Sequence, residues 1–230
     1  MIRINDEKLL SYYVNKYNIV DIFDEDILKY IEIHGFDKNE YVLKAEFDLD
    51  YYYLFVKGKI KITYQFEKGK SVLLKFYRDF NSLGDVELIN NVPIRCNVEA
   101  IEDCHLIAIP AQILREQYLD NPKFLKHMIN SLSEKMFATL NNSSYNLMYP
   151  LVNRLASYLI EYITDDKDYI KLNSSFKEIS QFLGTTYRHL SRTFNQLEDQ
   201  KVIRCDKKTV YIINENRLRE LAKNIYFSED

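Results

Sequence analysis

The hydrophobic pattern of this chain changes period near its middle, and that change limits the available folds more than any other feature. Between Glu40 and Ile109 the apolar residues form short alternating or β-rich runs: Tyr52 to Val56, Lys59 to Tyr64, Ser71 to Phe76, Cys96 to Ala100 and His105 to Ile109. Such runs predict strands. From Asn121 onward the spacing becomes three to four residues, which predicts helices. Glycine sharpens the boundaries, because the chain has only five and four precede residue 100. Gly58 separates two of the strand runs, Lys68-Gly69-Lys70 the next pair, and Gly84 begins a break. Turn signals this regular predict an antiparallel β-roll or jelly roll. Ahead of it, Ile22, Phe23, Ile27 and Ile31 predict a short helix over Ile19 to Ile33, packed on the opening of the roll.

The second half begins with Pro110, which permits a helix start, and with Asn121-Pro122, a pairing of N-cap and first helical residue. Leu125, Ile129, Leu132, Met136 and Leu140 then form an apolar stripe flanked by Phe124 and Met128, and Pro150 ends it. A helix of about 28 residues is ~40 Å long and needs a partner along its length. It could lie across its own roll or pair with a second copy in a two-helix seam; the stripe favours the seam. Leu151, Leu155, Leu159 and Ile163 open another helical segment, Asp165-Asp166-Lys167-Asp168 reads as a charged loop, and Ser175-Phe176-Lys177-Glu178 is a capping box. The expected fold class is α+β: a β-roll over residues 1–120, a long dimerisation helix over 121–149, and a winged helix-turn-helix over 150–230.

A short helix should run from the capping box to Leu183, where Gly184 interrupts it. Thr185-Thr186 caps a second helix from about Tyr187 to Gln200. At 100° per residue, Leu190, Phe194 and Leu197 share a narrow arc, while Arg188, Ser191, Arg192 and Asn195 lie opposite. An α-helix fits the major groove of duplex DNA, where an arginine fork pairs with guanine and short polar side chains bond base edges or phosphates. Val202 to Arg204 and Thr209 to Ile213 flank Cys205-Asp206-Lys207-Lys208, a β-wing whose turn can touch phosphate. The same arc would also suit a solvated helix, and helix-turn-helix pairs occur in proteins that bind no DNA. Charge supports the first reading: from Lys171 to Tyr211 there are eight basic residues against four acids, in a chain whose formal net charge is -3.

Other classes are disfavoured. At 230 residues with 47% hydrophobic side chains, the chain can bury a core and divide into two modest domains. No apolar run approaches the ~18 residues of a membrane span, and the start turns acidic where a signal peptide would turn apolar, so the expected address is the cytoplasm. Cys96, Cys104 and Cys205 are too few and scattered for a disulfide framework or a four-thiolate metal site. With no cysteine before Cys96 and no pattern around His34, His105, His127 and His189, neither an iron-sulfur cluster nor haem is expected. A cupin-like metal enzyme would need clustered ligands, yet no His-x-His pair, nucleophile elbow or phosphate loop occurs. An adaptor that binds protein through the helix-turn-helix face is a further alternative.

The segment Ile179-Ser180-Gln181-Phe182-Leu183-Gly184-Thr185-Thr186-Tyr187-Arg188-His189-Leu190-Ser191-Arg192, followed by Leu197-Glu198-Asp199-Gln200, resembles the reading head of the Crp/Fnr superfamily of bacterial transcription regulators. The resemblance spans nearly the whole chain in the order roll, long helix, winged helix-turn-helix. It implies a homodimer on a near-palindromic site of double-stranded DNA, contact with RNA polymerase, and no enzymatic activity. Thr186 and Arg192 carry over as DNA contacts, whereas Tyr187 and Arg188 replace the Arg-Glu pair usual in the family. Ser191, Asn195, Lys207 and Lys208 complete the expected DNA-binding set. Gly84-Asp85 followed by Arg95-Cys96 is similar to the phosphate-binding cassette of cyclic-nucleotide members, where the acid bonds ribose and the arginine the phosphate. Here Asp85 is one methylene short and Cys96 replaces a serine donor. With Thr139 on the long helix as a contact for the base, these residues form the expected effector site, and a cyclic nucleotide is the weakly supported ligand. A ligand or redox event in the roll would shift the pairing of the long helices.

Overall fold

The computed structural model describes residues 1–66, 70–78, 80–163, 169–172 and 175–222, with backbone alone at 65, 66, 70–73, 138, 139 and 141–147. Backbone contacts divide the chain into two compact units, one of residues 1–70 and 74–136, the other of residues 71–73 and 137–230.

The first unit is built on two antiparallel sheets. Strands β1 (Ile2–Ile4), β2 (Glu32–Phe36), β4 (Tyr51–Lys57), β7 (Asn81–Leu83) and β9 (Cys104–Pro110) form one, in the order β1-β2-β9-β4-β7. Strands β3 (Tyr41–Leu43), β5 (Ile60–Phe66), β6 (Lys70–Tyr77) and β8 (Cys96–Ala100) form the other, in the order β3-β8-β5-β6. All five strand runs read from the sequence are present, each within two residues of the expected ends, although Lys68 and Gly69 lie outside the described residues. The β4–β9 pair is the centre: Tyr52, Leu54, Phe55, Leu106, Ile107, Ala108 and Ile109 have no exposed surface. These strands are buried on both faces, so they read as continuous apolar runs rather than clean alternation.

What covers the outer face was only partly expected. Helix α1 (Glu7–Lys16), capped by Asp6, lies there: the Tyr13 hydroxyl meets His105 Nδ1 at 2.9 Å, and the Tyr17 hydroxyl donates to the Val56 carbonyl at 2.9 Å. The single helix expected over Ile19 to Ile33 is not formed. Helix α2 (Ile19–Ile22) stops at Phe23, a 3₁₀ turn covers Glu25–Lys29, and β2 begins at Glu32. The cause is tertiary. Asn121 Nδ2 donates to the Phe23 carbonyl at 3.2 Å and to Asp24 Oδ2 at 2.7 Å, while Lys123 pairs with Asp24 Oδ1 at 2.6 Å. The first takes the Phe23 carbonyl, which would have accepted the next helical bond, and the others pin the Asp24 side chain at the turn.

Gly84 caps helix α3 (Asp85–Asn90), where the sequence predicts only a break, and α4 (Ala111–Gln117) follows Pro110. Helix α5 (Pro122–Met148) starts as expected, with Asn121 Oδ1 accepting from the amides of Lys123 and Phe124. Its first turns enter the core: the Phe124 ring stacks on Phe23 at 4.9 Å and meets Tyr52 edge-on at 5.9 Å, and the Tyr52 hydroxyl reaches Met128 Sδ at 3.4 Å.

The second unit contains α6 (Leu151–Ile160), α7 (Phe176–Phe182), α8 (Tyr187–Asp199) and α9 (Glu215–Ala222), with β10 (Tyr169–Lys171), β11 (Ile203–Asp206) and β12 (Thr209–Ile212) in a sheet of order β10-β12-β11. Asn153 Nδ2 donates to the Leu221 carbonyl at 2.7 Å and Ser157 Oγ to that of Ala222, which docks α9 on α6. Neither β10 nor α9 was expected: three residues are too few to show a period, and α9 buries only Leu218 and Ala222. The charged loop 165–168 lies outside the described residues.

Gly58 has a sharp requirement. Its φ is +101°, and a Cβ there would sit 2.6 Å from the Asp103 carbonyl oxygen and 2.7 Å from Cys104 Sγ. Gly58→Ala is therefore predicted to destabilise the roll by about 2 kcal/mol or more. Chemical denaturation of the variant checks this; an unchanged midpoint would refute it.

Candidate nucleic-acid interface

The reading head is assembled from its caps outward. Ser175 Oγ accepts from the Glu178 amide at 3.2 Å while Glu178 Oε2 accepts from the Ser175 amide at 2.6 Å, so the expected capping box starts α7. Gly184 follows the helix with φ +57°, the left-handed conformation a tight turn needs. Thr186 Oγ1 then accepts from the His189 amide at 3.2 Å and starts α8. The helix-turn-helix is thus set by side-chain caps legible in the sequence.

One residue that fixes this turn was not anticipated. Arg154, buried on α6, donates from Nε to the Tyr149 carbonyl at 3.0 Å and from its terminal nitrogen to the Leu183 carbonyl, the last residue before Gly184. Its guanidinium holds the end of α7 from below. The sequence could only have hinted at it, as a lone arginine on an otherwise apolar helix stripe.

Helix α8 presents two different faces. Leu190, Phe194 and Leu197 are buried, as expected, together with Thr193, whose hydroxyl donates to the His189 carbonyl at 3.0 Å. Thr186, Tyr187, Arg188, Arg192 and Asn195 are exposed, while Ser191, at the edge of the arc, is half-buried. Tyr187 is 60% exposed even though its ring lies 5.9 Å from that of Phe176. The wing is tighter than the sequence reading: Cys205 and Asp206 belong to β11, leaving Lys207 and Lys208 alone between the strands, Lys207 with φ +54°. A two-residue connection with positive φ matches the twist of the strands it joins. Lys207 and Lys208 are exposed. Among the described residues, no side-chain ion pair or hydrogen bond engages Arg188, Arg192, Lys207 or Lys208. Arg204 lies over the Tyr211 ring at 4.6 Å, adding a cation to the same wing.

The effector residues fare differently. Asp85, at the start of α3, is buried, with Oδ2 accepting from Ser131 Oγ at 3.1 Å and from the Lys135 ammonium. Arg95 is exposed, and its amide donates to Glu87 Oε1 at 3.3 Å. Cys96, half-buried on β8, has its thiol pushed up to about 11, by burial first and then by Glu87. The Thr139 side chain lies outside the described residues. An acid already engaged by an ammonium and a neutral, weakly donating thiol do not fit the ribose-phosphate clamp that the sequence resemblance implies.

Fold and site together define a class: a β-roll domain and a winged helix-turn-helix of the kind that reads duplex DNA. The comparisons agree. Residues 33–121 match the family model of the cyclic nucleotide-binding domain, and residues 153–221 that of the Crp-like helix-turn-helix domain. The chain thus carries, in this order, the cyclic nucleotide-binding and Crp-like helix-turn-helix domains of a Crp/Fnr-type transcription regulator. It is 29% identical over 150 residues to the regulatory protein YeiL of Escherichia coli O157:H7, covering 65% of this chain and 67% of that one. Among solved structures, one assigned to the Crp/Fnr family from Eubacterium rectale superposes with a TM-score of 0.69 at 16% identity, covering 86% of this chain and 92% of that one. The CRP-family regulator TTHB099 from Thermus thermophilus gives 0.63 at 15% identity, covering 85% and 100% respectively. These relatives are regulators rather than enzymes.

Two predictions follow from the site chemistry. Arg154→Ala leaves the Leu183 carbonyl without its donor, a loss of about 1–3 kcal/mol in stability; thermal unfolding and a mobility-shift assay should both show the defect. Burial first, then neighbouring acids, raise the thiols of Cys104 and Cys205 to about 12, alongside Cys96 at about 11. All three should stay protonated at neutral pH, and alkylation of the native protein should be far slower than that of a free thiol; rapid labelling by mass spectrometry would contradict it.

Proposed function

We propose that this regulator acts as a homodimer that places two α8 helices in successive major grooves of a near-palindromic DNA site. The observation that carries the reading is the exposed polar arc of α8, with Arg188 and Arg192 unengaged among the described residues, over a buried apolar underside. Thr186, Tyr187, Arg188, Ser191, Arg192 and Asn195 supply base and phosphate contacts, and Lys207 and Lys208 touch the flanking backbone. Because Tyr187 and Arg188 stand where the family usually has Arg-Glu, the half-site differs from the usual one.

The dimer reading rests on α5. Leu125, Ile129, Met136 and Leu140 form an exposed stripe on this helix, with Ile129 64% and Met136 56% exposed. A row of large apolar side chains facing solvent at this spacing suits a seam with a second copy. In this reading residues 1–120 sense, 121–149 pair and 150–230 read. Gly84, Asp85, Arg95 and Cys96 mark the region of the roll where an effector other than a cyclic nucleotide would act, and α5 is the proposed carrier of that signal. RNA polymerase is the proposed protein partner. No described helix is long and apolar enough to cross a membrane, and a cytoplasmic location goes with this function.

The test is a mobility-shift or footprinting assay on DNA upstream of the protein's own gene. The affinity should fall with salt at a log-log slope of about -0.9 per phosphate neutralised. Arg188→Ala/Arg192→Ala should abolish the shift while sedimentation still reports a dimer. Absent or salt-insensitive binding would overturn the reading, and a double variant that binds as wild type would remove α8 from it.

A further inference from the structure

The acid that the family resemblance assigns to ribose has a different partner in this chain. Asp85 projects from the first turn of α3 into the space beneath α5, where its side chain retains 2% exposure. Its Oδ2 receives two donors from α5, the Ser131 hydroxyl and the Lys135 ammonium, one helical turn apart. The same two residues also grip β7: Ser131 Oγ lies 2.7 Å from Ser82 Oγ, and Lys135 Nζ donates to the Ser82 carbonyl at 2.7 Å. Among the described residues Asp85 Oδ1 has no hydrogen-bond partner, and it is shut off from solvent. A ligand hydroxyl therefore cannot reach either oxygen while α5 stands in this position. A buried carboxylate left without its cation is strongly unfavourable, so the contact resists opening.

We propose that Lys135 sets the effector specificity of the roll: it occupies Asp85, closes the cassette to the diol of a nucleotide, and couples β7 and α3 to α5 with no nucleotide bound. This rests on the regulator reading above, since the helix so held carries the exposed seam stripe. Ser131 and Lys135 face the roll while Ile129 and Met136 face solvent, so the latch fixes which side of α5 is offered to a second copy. The chain is then competent to pair and to bind DNA in the absence of cyclic nucleotide.

The experiment has two independent arms on the full chain. Isothermal titration calorimetry with cAMP, and separately with cGMP, at up to millimolar concentration should give no binding heat, and neither should change DNA affinity in fluorescence anisotropy. Micromolar binding of either nucleotide, or a tenfold gain in DNA affinity on adding it, would overturn the proposal. In the second arm, Lys135→Met should weaken the dimer and DNA binding by about tenfold or more, and Lys135→Arg, which keeps a cation at Asp85, should restore both to near wild type. Lys135→Met behaving as wild type, or Lys135→Arg behaving as Lys135→Met, would sink it. Should Lys135→Met fail to fold, the wild-type calorimetry still decides. A wild-type chain that binds no DNA would count against the regulator reading, while the nucleotide titration judges the latch separately.

Discussion

The first turns of α5 hold the roll unit together. Phe124 and Met128 enter the core against Tyr52 and Phe23, and these four side chains are almost fully buried. Burying such a side chain is worth roughly 1.5–3 kcal/mol, and the cluster joins the central strand, the N-terminal segment and α5 in one contact. The Asn121 and Lys123 bonds to Asp24 then fix the angle at which the helix leaves. Because that start is fixed, Ser131 and Lys135 come to lie over Asp85, and Ile129 and Met136 come to face outward.

The reading head follows a different logic. Its helices are set by local caps, Ser175 with Glu178 and Thr186 with His189, and by a glycine in the left-handed conformation between them. Tertiary structure adds the buried Arg154 guanidinium and the docking of α9 on α6. Among the described residues the arginines on the exposed face of α8 have no side-chain partner, so their charges are available to an outside anion. Burial of Leu190, Phe194 and Leu197 beneath them holds that face in place.

Polar groups of the roll show how tertiary context redirects a motif. Gly84-Asp85 and Arg95-Cys96 have the spacing of a ligand cassette, but spacing does not reveal what a side chain meets in three dimensions. The carboxylate turned out to be paired with a lysine fifty residues further along the chain. His105, one of four scattered histidines, is similarly a partner of Tyr13, with its basicity lowered by burial and by Lys57.

The sequence alone determined what depends on period and on neighbouring residues. The strand runs around Gly58, the cap at Asn121, the capping box at Ser175 and the two faces of α8 are all local, because helix and strand repeats and cap hydrogen bonds span only a few positions. Tertiary structure decided whatever depends on distant partners: the break at Asp24, the third wing strand β10, the docking of α9, the clamp of Arg154 and the occupation of Asp85 by Lys135. Each of these is a hydrogen bond, an ion pair or a packing contact between residues far apart in the chain. Burial makes such contacts strong and makes an unpaired polar group costly, and burial exists only once the chain has folded.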